Sequence, residues 1–127
     1  MKINKIKVPL YNYNVISVIV ESYDEGEAIA KLMRKYGLSK DNINALMELL
    51  QNQAMNGANC YYNDNKLTAL IVTFPHKNNI ELCSTLVHEG RHAADRFISL
   101  SGLEGVEAAA YLNEYITINM IKEYIIK

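Results

Sequence analysis

Leu82-Cys83-Ser84-Thr85-Leu86-Val87-His88-Glu89-Gly90-Arg91-His92-Ala93-Ala94-Asp95-Arg96-Phe97 is the stretch around which the rest of the chain is read. Cys83, Leu86, Val87, Gly90, Ala94 and Phe97 recur at three- and four-residue intervals, the period of one helix face. The spacing predicts a helix from about Asn79 to Leu100, closed by Ser101-Gly102. His88 and His92 are four apart, so their imidazoles stack about one turn apart and can reach one ion from one side. Zinc accepts neutral imidazole nitrogens, and a catalytic zinc takes three protein ligands and leaves a fourth position to water. Glu89 lies about 100° around the helix from His88. It is therefore off the ligand pair but beside the open position, where a carboxylate can take a proton from bound water. Gly90 costs about 1 kcal/mol relative to Ala inside a helix. Close approach of a neighbouring element explains that cost, and a tolerated imperfection explains it equally well.

A ligand pair on one helix leaves the far side of the ion open, so the third ligand is expected from a separate element. The acidic candidates are Asp95, Glu104, Glu107, Glu114 and Glu123. Asp95 is placed either to orient an imidazole N–H or to pair with Arg91 at i+4, which is worth little. Glu104 sits in the short link Leu103-Glu104-Gly105. A last helix is expected from about Val106, with Ala109, Leu112, Ile116 and Met120 on its core face. Glu107 falls in its first turn, and Ala110, Tyr111 and Glu114 continue the same stripe. Small Ala108, Ala109 and Ala110 allow the two helices to approach closely. Glu107 is the favoured third ligand and Glu114 the next. Tyr111 shares the Glu107 face and is a candidate donor to an oxyanion, against the plainer reading of a tyrosine packed between helices. The plain reading of the whole motif is two surface histidines on an amphipathic helix, with Glu89 solvated.

His88-Glu89-Gly90-Arg91-His92 followed by Glu107-Ala108-Ala109-Ala110-Tyr111-Leu112 resembles the gluzincin branch of the zinc metallopeptidases. More narrowly, with His92-Ala93-Ala94 and a strand-rich N-terminal part, the chain resembles small single-domain zincin-like proteins of bacteriophages and mobile elements. The likeness covers Leu82 to about Tyr115 well and the first 75 residues in layout alone. It implies zinc ligands His88, His92 and Glu107, with Glu89 as general base. The stretch between His92 and Glu107 is shorter than in the large gluzincins.

Upstream, Ile6 to Val20 is rich in Val, Ile and Tyr and reads as one bent strand or two short ones, with Pro9 at a sheet edge. Asp24 and Glu27 have the spacing of a capping box, Ile29, Leu32, Met33 and Tyr36 form a helical stripe, and Gly37 stops it. Ser39 opens a second helix with Ile43, Leu46, Met47 and Leu50 inward. Cys60-Tyr61-Tyr62, a turn at Asn63-Asp64-Asn65, and Leu67 to Phe74 read as a hairpin ended by Pro75. Its outgoing strand is nearly all apolar, hence central or buried on both faces. The order strand, helix, helix, hairpin, helix, helix gives an α+β fold, a small antiparallel sheet against a helical layer, in one domain spanning residues 1–127.

The net charge of −1 supplies no footprint for nucleic acid or an anionic membrane, and no apolar run is long enough to span a bilayer. Cys60 and Cys83 read as two reduced, buried thiols, and His76 reads as a solvated loop residue, with a rim position over a cleft as the alternative. A cytoplasmic protein is expected. With about twenty residues after Glu107, the cleft is shallow or is completed by a partner or a second copy. The expected activity is hydrolysis of a peptide bond in a narrow set of peptide or protein substrates, with an extended substrate adding beside the strand at Leu67 to Phe74. Two rivals stand beside it: a zinc-binding protein without turnover that acts as an interaction module, and a metal-free module.

Overall fold

The computed structural model describes the backbone of residues 1–9, 12–102 and 106–125, and their side chains except at 106 and 123–125. The elements are β1 (Lys2–Val8), β2 (Tyr13–Ile19), α1 (Gly26–Lys35), α2 (Lys40–Gln51), β3 (Ala58–Asn63), β4 (Thr68–Thr73), α3 (Asn79–Ser101) and α4 (Val106–Ile125). The class is α+β, as the element order implied.

The sheet order is β1-β2-β4-β3. Both hairpins, β1 with β2 and β3 with β4, are antiparallel, but β2 and β4 run parallel, so the sheet is mixed rather than antiparallel. The cause is the crossover: α1 and α2 carry the chain over one face, and β4 then enters beside β2 in the same direction. All six residues of β4 are buried, as expected of a central strand. β3 and β1 are the edges, which moves the open edge near the motif helix from the strand at 67–74 to β3. Pro9 follows the end of the edge strand β1, where its missing N–H costs no ladder bond.

Alternation along the strands sends side chains to two cores. Ile16, Val18, Leu70 and Val72 pack with Ile29, Met33, Leu46 and Leu50 of α1 and α2. Val15, Ala69 and Ile71 pack with Leu82, Leu86, Phe97, Leu112 and Ile116 of α3 and α4. Helices therefore cover both faces, where the sequence reading had one layer.

Local signals account for the helix ends. Glu25, rather than Glu27, closes the first cap: its Oε1 accepts from the N–H of Ser22 at 3.0 Å, and a 3-10 turn over Tyr23–Glu25 leads into α1. At Gly37 φ is +73°, and Leu38 N–H reaches Met33 O at 3.0 Å while Gly37 N–H reaches Arg34 O at 2.9 Å, a Schellman closure. Ser39 caps α2 by accepting from Asn42 N–H at 3.2 Å. Asn78 caps α3 through Glu81 N–H at 2.9 Å, and Gly102 ends it at φ +70°.

In α3 the buried residues are Leu82, Leu86, Glu89, Gly90, Ala93, Ala94 and Phe97. Cys83 is half-buried and Val87 is 44 % exposed, so the inward face is rotated from the expected one toward Leu82, Glu89 and Ala93. Leu112, Ile116 and Met120 of α4 are buried as expected, while Ala109 is half-buried. No described helix is long and apolar enough to cross a membrane.

Candidate metal centre

α3 is held in place before any ligand is considered. Tyr13 of β2, fully buried, donates its hydroxyl to Ala93 O at 3.1 Å and stacks on Phe97 at 4.7 Å. On the other flank Gly90 meets α4: a Cβ at Gly90 would lie 2.4 Å from Thr117 Oγ1 and 3.1 Å from Met120 Cε. The glycine is thus a close-approach residue, which settles its two readings in favour of packing.

With the helix fixed on those two sides, His88 and His92 emerge together on its exposed flank. Their Nε2 atoms are 3.0 Å apart and their rings meet edge-on with centroids 4.5 Å apart. Two imidazole nitrogens at about 2.0–2.1 Å from a tetrahedral zinc are separated by about 3.3 Å, so a small rotation of either ring fits the pair to an ion. Glu89 completes a group whose ligand atoms all lie within 4.8 Å of one another. The Glu89 side chain is 7 % exposed, and none of the ion pairs among the described residues includes it. A buried carboxylate without a cation is costly, which suits a site built to receive one. Burial raises its carboxyl above the usual range, with His92 and His88 acting in the opposite sense, and a raised carboxyl is a better base near neutral pH.

The remaining sequence candidates are placed elsewhere. Residues two positions from Gly90 point about 160° away from it on a helix. Gly90 faces α4, so the histidine pair faces away from α4. Thr117 opposite Gly90 also sets the register. Glu107, ten residues earlier on the antiparallel helix, lies on the order of 15 Å along the axis from that contact. Glu107 and Glu114 are exposed on α4 and outside the histidine group. Tyr111, 66 % exposed on the same stripe, lies on α4's outer face and is not packed between the helices. Asp95 accepts from Arg91 Nε at 3.1 Å, which is the ion-pair alternative rather than the imidazole-orienting one. Glu104 lies outside the described residues, as does the side chain of Glu123.

His76 is not a solvated loop residue. Its Nδ1–H donates to Phe74 O at 2.6 Å and its Nε2 accepts from the Thr85 hydroxyl at 2.7 Å, tying the strand-to-helix loop to the turn before His88.

The sequence reading missed the β3 side of the site. Cys60 and Tyr62 both interact electrostatically with Glu89. Arg96 lies over the Tyr62 ring at 5.3 Å from its centroid and grips Asp64 through two nitrogens, with Nε–Oδ1 at 3.0 Å. Arg96 follows His92 by four, a spacing visible in the chain, but its partners are 32 residues away and become legible only once β3 is placed. Burial pushes the Cys60 thiol up to about 12. No protein-family model, curated protein or solved structure matches this chain, so the case for a function rests on the geometry of His88, Glu89 and His92.

Proposed function

We propose that the chain is a zinc-dependent hydrolase of the metallopeptidase type, acting on a narrow range of peptide or protein substrates, with a cytoplasmic location. The observation that carries this reading is the pair of Nε2 atoms 3.0 Å apart beside a buried carboxylate that forms no ion pair among the described residues. His88 and His92 would hold the ion. Zinc, when bound, lowers the pKa of water toward about 7 and polarises a carbonyl.

The chain's own contribution follows from the positions of its groups. Glu89, held with its carboxyl raised by burial, accepts a proton at a carboxylate oxygen and delivers it to the leaving amine. β3, an edge strand on the Glu89 side of α3, offers unpaired backbone groups to an extended peptide. The third ligand named by the family resemblance, Glu107, is the part of the proposal that the helix register does not support. Metal content separates the possibilities. Wild type should bind one zinc, and His88→Ala and His92→Ala should lose it. If Glu107→Ala keeps full stoichiometry and affinity, Glu107 is not a ligand. Glu89→Gln should keep zinc and lose hydrolysis; hydrolysis that survives in it would remove Glu89 from the mechanism.

A second reading, a zinc-binding protein without turnover that engages a partner or a second copy, is favoured by one observation. The two imidazoles are exposed, and no carboxylate from another described element joins their group. Zinc uptake with no hydrolysis of any peptide, and a zinc-dependent rise in molecular mass, would support it over the hydrolase.

A further inference from the structure

Zinc in a tetrahedral site takes four donors. This chain offers two on one exposed flank of α3: the Nε2 atoms of His88 and His92, 3.0 Å apart, with no ligand from another described element in their group. A two-fold axis through the ion turns two donors into four, provided that the flank can meet its own copy. Glu81, Ser84, Thr85, Asp95, Arg96 and Ser99 all lie within about 60° of the histidine midline around the helix. Thr85 is half-buried and the other five are exposed, so this side of α3 stays in solvent from Glu81 to Ser99.

The flank is also self-complementary. An antiparallel copy brings positions equally far from the midpoint of the histidine pair opposite one another. Glu81 then faces Ser99 of the second copy, Ser84 faces Asp95, and Thr85 faces Arg96. In these pairs no charge meets its like, and each charged group faces a hydroxyl, so the repulsion that keeps mismatched surfaces apart does not arise there. Arg91, about 80° off the midline, keeps Asp95 of its own helix as its acceptor at 3.1 Å.

We propose that a second copy of this chain completes the centre, with His88 and His92 of both copies holding one zinc between two antiparallel α3 helices. The inference rests on the reading of the two histidines as ligands and adds to it the partner and the donors that the partner brings. Four imidazoles leave no position for water, so the paired form is closed to hydrolysis and the single chain with its own ion is the open form. Excess zinc favours the open form by mass action, because each chain then takes an ion of its own.

The test is a zinc titration of metal-stripped wild type, His88→Ala and Ser99→Glu, with mass read by light scattering and stoichiometry by metal analysis. Wild type should double in mass as zinc rises to about half an equivalent per chain, and should return to single chains in large excess. His88→Ala should stay single throughout. Ser99→Glu sets a carboxylate opposite Glu81 of the second copy, seven residues beyond His92. It should load zinc in excess as wild type does and pair on the order of fivefold more weakly. Single chains at every zinc ratio, each loaded with its own ion, overturn the pairing with the metal site intact. Pairing without zinc, in His88→Ala, or undiminished in Ser99→Glu assigns the contact to another surface and overturns the proposal as well. Wild type that takes up no zinc overturns the ligand reading and this inference together.

Discussion

At the scale of single residues, Gly90 and Cys60 show how neighbours decide a role that residue type leaves open. Alanine at Gly90 gains about 1 kcal/mol of helix propensity. It also sets a methyl 2.4 Å from Thr117 Oγ1, an atom on a stiff, β-branched, buried side chain. Overpacking of this kind costs about 1–3 kcal/mol, so the clash wins and Gly90→Ala should lower stability in urea denaturation. Adding Thr117→Ser, which keeps the oxygen but frees its rotamer, should recover part of the loss. Cys60 allows a pH prediction. Its thiol is pushed up to about 12, first by burial and then by Glu89, so at pH 9–10 the unfolded chain ionises there and the folded chain does not. The folded state then binds more protons than the unfolded one, and stability falls as pH rises above the ordinary thiol range. Urea midpoints at pH 8 and pH 10 should differ less in Cys60→Ala than in wild type. Alkylation of Cys60 in the native protein at pH 8 should be slow and should accelerate on unfolding.

At the scale of elements, the helix ends and the sheet edge carry the consequences. α1 stops because Gly37 adopts φ +73°, and a Cβ there would lie 2.6 Å from Asn63 Nδ2, the group that donates to Tyr36 O at 2.9 Å. Gly37→Ala should therefore destabilise by about 1–2 kcal/mol from the left-handed backbone alone, and by more if Asn63 is displaced, as read from a denaturation midpoint. Much of this level was legible in the chain: Gly37, Ser39 and Gly102 all mark real helix boundaries, and the Asn63-Asp64-Asn65 turn lies where its composition placed it. The face of α3 was less legible. Val87 is as apolar as its neighbours, and only the seating of the helix between Tyr13 and α4 decides that Glu89 goes inward and Val87 outward.

At the scale of the molecule, two helical layers clamp a four-stranded sheet, and the candidate metal centre lies on the flank of α3 between its exposed face and the edge strand β3. An ion that binds only the folded chain stabilises it by mass action, about 2.7 kcal/mol at a hundred times its dissociation constant. Zinc should therefore raise the melting temperature of wild type in a concentration-dependent way and leave His88→Ala/His92→Ala unchanged; equal shifts in both proteins would place the effect away from the pair.

The sequence by itself determined the α+β class, the helix that carries His88, Glu89 and His92, and the convergence of two imidazoles. These depend on spacing along one element, where 3.6 residues per turn brings positions four apart together whatever surrounds them. Only the tertiary structure decided that β4 enters the sheet parallel to β2, that Glu107 and Tyr111 are exposed on α4 with Glu107 outside the group of His88, Glu89 and His92, and that Arg96 reaches Tyr62 and Asp64 of the β3 hairpin. Each of those depends on the register between elements distant in the chain. That register is set by close contacts such as Gly90 against Thr117, which no local periodicity encodes.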